Sequence, residues 1–153
     1  MALSARAKKL VAEITKGNLK LGDLKKRGTE IKKDHDLAME LWSTGEYYPR
    51  LLATLIFDKK LLAENVIDQL ASDMLRHDAE QRSQLADWLL ANQLTKNKKL
   101  ASLITTWEKN PSPILRRLFW YHQARLRWVG QPPPGPETHL FSGATSARTG
   151  VPA

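Results

Sequence analysis

From Leu3 to Trp128 the apolar residues recur at intervals of three and four, and over no strand-length stretch do they alternate with polar ones. That period is helical, and sustained over so much of a chain it excludes a sheet-based core. Leu3, Ala7, Leu10, Val11 and Ile14 make a first stripe, closed by Gly17-Asn18. Leu21, Leu24, Gly28 and Ile31 make a second, weakened by a glycine that costs about 1 kcal/mol inside a helix. Asp34 or Asp36 can cap a third helix carrying Leu37, Leu41 and Trp42, with Gly45 past its end. Pro49 opens a fourth, with Leu51, Leu52, Leu55 and Ile56; Val66, Ile67, Leu70, Met74 and Leu75 mark a fifth. Asp78 to Gln81 resembles a capping box that starts a sixth, with Leu85, Trp88, Leu89 and Asn92. A seventh is expected from about 97 to 109, turning Leu100, Leu103, Ile104 and Trp107 inward, and an eighth from Ser112-Pro113 to Trp128, stopped by Gly130.

About eight short-looped helices predict an all-α fold, and periodicity alone leaves a bundle and a helical-pair solenoid equally open. The character changes at Gln131-Pro-Pro-Pro-Gly-Pro136. Residues 1–130 therefore read as one domain, and 131–153, rich in Pro, Gly, Ser and Thr without an apolar period, as a disordered tail.

The 153 residues hold no cysteine, which excludes disulfides and zinc–thiolate sites. The four histidines (35, 77, 122 and 139) lie far apart without metal-ligand spacing, so neither a metal nor a cofactor is expected. No apolar run nears the roughly 20 residues that cross a bilayer, and the N-terminus lacks a signal-type core, so the expectation is a cytoplasmic protein without a membrane partner.

Charge is unevenly placed. Residues 1–33 carry ten Lys or Arg against three acids, residues 34–94 five against eleven, and residues 95–128 eight against one. Two basic blocks around an acidic middle suit a polyanion held from both ends. In the eighth helix Arg117, Tyr121 and Arg125 fall four apart on one face, where guanidinium groups can meet phosphates and an aromatic can lie against bases or sugars. Lys96, Lys98, Lys99, Arg116 and Arg127 extend the set of expected nucleic-acid contacts, although adjacency forces Arg116 and Arg117 to point differently. This helix is also apolar or aromatic nearly all round, so its uncovered side suggests a missing C-terminal portion or self-association.

The order of motifs resembles the AlkD-like DNA alkylation repair family. It is carried by Glu30 to Gly45, Arg50 to Ile56, Asp87-Trp88 with Asn92-Gln93, and Pro113 to Phe119, and covers roughly residues 20–130. The resemblance implies a HEAT-like helical-repeat solenoid whose basic concave face cradles alkylated duplex DNA. It also implies hydrolysis of the N-glycosidic bond of N3- or N7-alkylpurines, with Trp88, Asn92 and Arg117 at the catalytic centre. Trp88 would face the lesion's sugar and Arg117 and Arg125 would grip backbone phosphates. Asn92 stands where active members carry a carboxylate. Cleavage leaves positive charge on the sugar, which a carboxylate stabilises and an amide does not match. Asp87 lies about 140° round the helix from Asn92 and is no simple substitute. A non-catalytic damaged-DNA binder and a helical-repeat scaffold for an acidic protein are the alternatives.

Overall fold

The computed structural model describes residues 2–17 and 19–128, and across them the chain is all-α. The helices are α1 (Ala5–Ile14), α2 (Leu21–Ile31), α3 (His35–Ser43), α4 (Tyr47–Ile56), α5 (Glu64–Met74), α6 (Ala79–Asn92), α7 (Lys98–Ile104) and α8 (Pro113–Trp128). Short 3-10 turns at Lys59–Leu61 and Leu94–Lys96 join α4 to α5 and α6 to α7. Gly130 and the 131–153 segment lie outside the described residues.

Side-chain caps set most of the starts. Ser4 accepts the Ala7 amide, Asp34 that of Leu37, Asp78 that of Gln81, and Asn97 those of Lys99 and Leu100. Asp34, not Asp36, is thus the cap of α3. The expected capping box at α6 is only half made, because the Gln81 Oε1 pairs instead with His77 Nδ1 at 3.2 Å. Ser112 Oγ accepts the Leu115 amide at the start of α8.

The even-numbered helices succeed one another side by side: α2 packs on α4, α4 on α6, and α6 on α8. The odd helices flank this row, with α3 against α4, α5 against α6 and α8, and α7 against α8. Such an order is compatible with a helical-pair solenoid. One core runs through the whole, from Leu10 and Ile14 through Leu41, Leu52, Ile56 and Leu89 to Leu118.

Two features depart from the sequence expectations. The α7 helix stops at Ile104, well short of 109, because the Thr105 and Thr106 hydroxyls donate to the Ser102 and Leu103 carbonyls and unwind the last turn. Trp107 nevertheless packs inward from the following turn, 2% exposed. Gly28 is a contact rather than a flaw: a Cβ there would lie 2.9 Å from both Cβ and Cδ1 of Leu55, so the missing side chain lets α2 and α4 cross closely. Leu21 and Leu75, expected in the core, are exposed at helix ends.

Arg50, 6% exposed on α4, ties three helices and the turn before α6 together. Its Nε donates to the Trp42 carbonyl at 2.9 Å and its guanidinium lies 4.8 Å from the Trp42 ring. Its Nη1 reaches the Asp73 carbonyl at 3.2 Å and His77 Nε2 at 3.0 Å. An arginine can only donate, so His77 accepts at Nε2 and carries its proton on Nδ1, toward Gln81. Burial lowers the His77 pKa, which keeps the ring neutral as this arrangement requires. Trp42 Nε1 completes the set by donating to Asp73 Oδ2 at 2.9 Å.

Candidate nucleic-acid interface

The α6 and α8 helices pack against each other, and between them they carry most of the expected site residues. Trp88 and Asn92 lie one turn apart on α6, as the spacing requires. Trp88 is only 8% exposed, so its ring forms the edge of the core and shows the surface little more than a rim. Asn92 turns back on its own helix: its Nδ2 donates to the Trp88 carbonyl at 2.8 Å. The amide is thereby held still, with one donor occupied and no negative charge at that position.

Arg117 reaches α6 from α8. Its Nε and Nη2 donate to Asp87 Oδ1 and Oδ2 at 3.2 and 2.9 Å, a two-pronged ion pair with the residue next to Trp88. Asp87 is therefore the partner of the expected phosphate-gripping arginine, a role not foreseen from the sequence. An acid 30 positions upstream of an arginine carries no periodic signal. Along α8, the Tyr121 ring sits between two guanidinium groups, 6.0 Å from Arg117 and 6.0 Å from Arg125. The expected shared face thus exists as a physical row. Beyond it the Trp128 ring meets Tyr121 edge-on at 6.0 Å.

A further cation arrives from the other basic block. Lys25, on α2, places its Nζ 5.2 Å from the Trp88 ring centre. Since α2 packs on α4 and α4 on α6, this contact links the first and third helices of the even row and brings one cation of the N-terminal basic block to Trp88. Only the charge distribution of residues 1–33 hinted at this, and nothing in it singled out Lys25.

The remaining expected contacts are spread more widely. Arg116 points away from Arg117, donating through Nη1 to the carbonyls of Asn110 and Pro111 at 2.7 and 3.2 Å. Lys96, Lys98 and Lys99 are exposed where α7 begins, and among the described residues no ion pair engages them. Arg127 is half-buried in the last turn of α8. His122, on the inner side of α8, is 9% exposed; burial lowers its pKa and the nearby Arg125 charge lowers it further.

A second concavity has the opposite sign. A cleft of about 620 Å³ at the N-terminal ends of α4 and α6 is lined by Tyr47, Tyr48, Glu46, Asp78 and Glu80. Burial first, and then Tyr48, Glu80 and Asp78, raise the Tyr47 pKa, and the Glu46, Asp78 and Glu80 carboxylates of the cleft repel phosphate. The α6–α8 surface is accordingly the better site for a polyanion.

Among the described residues no group of three or more acidic, His or Cys side chains could hold a metal, and no helix is long and apolar enough to cross a membrane. No family model matches this chain, and neither a curated protein nor a solved structure matches it.

Proposed function

We propose that this chain is a cytoplasmic, nucleoid-associated DNA-binding protein of the DNA alkylation repair type, a HEAT-like solenoid that lays its α2–α4–α6–α8 row along duplex DNA. The observation that carries this reading is that a cation of the first basic block reaches the same α6–α8 surface as the cation–aromatic row of the second. Lys25 comes from the first block, and Arg117, Tyr121 and Arg125 come from the second. Lys98 and Lys99 add support, because they occupy the first turn of α7, where the helix dipole disfavours cations by about 0.3–1 kcal/mol each. Helix stability does not account for them there, whereas attraction of a polyanion does.

This surface is better equipped to bind than to cleave. Glycosidic hydrolysis of an alkylpurine needs a negative charge near the sugar, and the loss of such a group typically costs about 2.7–4 kcal/mol in the barrier. Asn92 has none, and the Asp87 carboxylate is engaged by Arg117. Weak excision of N3- or N7-alkylpurines is the second reading. It is favoured by the ease with which an already cationic base departs, which leaves only the sugar's charge to be stabilised. Release of 7-methylguanine from methylated duplex at low salt, by the parent chain and by Asn92→Asp, decides between them. The binding reading expects silence from the parent with retained duplex affinity, and a gain on restoring the carboxylate. Release by the parent would establish a glycosylase that works without it. Absence of any duplex binding would sink both readings and leave the protein scaffold.

A further inference from the structure

The face of α8 that begins at Arg117 carries more than phosphate contacts. Taking 100° and 1.5 Å per residue, Arg117, Tyr121, Arg125 and Trp128 lie within ~80° of one another along ~16 Å of helix. They touch in sequence. Arg117 and Arg125 flank the Tyr121 ring, each at 6.0 Å, and Tyr121 meets Trp128 at 6.0 Å with planes 79° apart. Trp128 is 70% exposed, the most open large apolar side chain among the described residues. Tyr121 is half-buried against the core, so Trp128 is the open aromatic of the row, and an open aromatic face next to a cation is what an unpaired base and its phosphate require.

We propose that this stripe is a binding track for single-stranded nucleic acid, about three to five nucleotides long. Two arguments favour an unpaired strand over other occupants. The stripe interleaves cations with aromatic faces, while a duplex hides its base faces and offers only phosphates and groove edges. Arg125 gives it positive charge, as does Arg117 once its pair with Asp87 loosens, whereas an apolar protein partner gains nothing from two desolvated guanidinium groups. The track begins at the Asp87–Arg117 pair, beside Trp88, so an unpaired strand on α8 would continue directly from the surface proposed above for duplex. In this respect the inference extends that reading, but it does not depend on it, since the track can hold a free single strand.

The test measures fluorescence anisotropy of labelled dT12 and of a labelled 12-base-pair duplex, with the full chain, Trp128→Ala and Trp128→Phe. Removing one stacking platform is expected to weaken dT12 binding roughly tenfold and to leave the duplex nearly unaffected. Trp128→Phe, which keeps an aromatic face, should recover most of the loss. Because Trp128 is exposed at the helix end, neither variant threatens folding. Duplex binding without dT12 binding would overturn the track and leave the duplex reading standing, and dT12 binding without duplex binding would do the reverse. Equal weakening of both ligands by Trp128→Ala would overturn the track as a base reader. An unchanged dT12 affinity, with a shift from dimer to monomer in sedimentation, would assign Trp128 to self-association and overturn it too.

Discussion

Replacing Arg117 with alanine separates binding from stability. In the folded protein the guanidinium makes a two-pronged pair with Asp87, with side-chain exposures of 44% and 20%. A pair so open to solvent contributes about 0.5 kcal/mol, and Asp87 stays wet enough to tolerate its loss. For a chain of this size that corresponds to a fall in Tm of about 1–2 °C. Toward DNA the arithmetic differs. A charge-assisted contact to phosphate is worth about 1.5–3 kcal/mol, and loosening the Asp87 pair takes back about 0.5. The net of about 1–2.5 kcal/mol is roughly a five- to seventyfold weakening in Kd. The log–log salt slope should also flatten by about 0.9, the value of one phosphate contact. Anisotropy with a labelled duplex and a thermal melt of the same sample read both quantities. A collapse in Tm with unchanged affinity would show that Arg117 is a structural strut and makes no phosphate contact.

Other perturbations probe the frame that holds this surface. Gly28→Ala should destabilise by about 1–2 kcal/mol, since the 2.9 Å clash with Leu55 outweighs the gain in helix propensity; a raised urea midpoint would contradict the close α2–α4 crossing. Lys32 ends α2 at φ 65° and ψ −147°, a backbone region that suits glycine, so Lys32→Gly should stabilise by about 1 kcal/mol in the same assay. Burial lowers the pKa of both His122 and His77 below the unfolded value of 6.5. Each imidazole is then neutral when folded and takes up its proton more readily when unfolded. Stability is therefore full above about pH 6.5 and declines as pH falls from there through the lower folded values. Melts between pH 7.5 and 5.5 should show Tm falling, and a level or rising Tm would count against two buried neutral rings.

The order and number of helices were legible because each has its own stripe and most have a polar cap. Asp34, Asp78, Asn97 and Ser112 stand where a capping side chain is needed. What escaped the sequence has physical reasons. The early end of α7 depends on two threonine hydroxyls competing for carbonyls, which an apolar pattern does not register. Gly28 read as a weakness because its meaning lies in Leu55, a residue of another helix. Arg50 figures in the sequence only as the first residue of a motif, and its burial depends on hydrogen bonds to Trp42, Asp73 and His77 that no local pattern registers. In the candidate site, the Arg117–Tyr121–Arg125 row was visible because it is local to one helix. The Asp87–Arg117 and Lys25–Trp88 contacts join separate helices, and a single sequence carries no periodicity across such distances.

The proposed function requires Lys25 of the first basic block and the α8 row of the second to grip one duplex together. Its most direct test is the affinity of the unmodified chain for a labelled duplex as sodium chloride rises from 50 to 300 mM. If Lys25, Arg117, Arg125 and one lysine of the Lys96–Lys99 cluster each neutralise a phosphate, the log–log slope should be about −3.6. A slope near zero, or no binding at the lowest salt, would contradict the account.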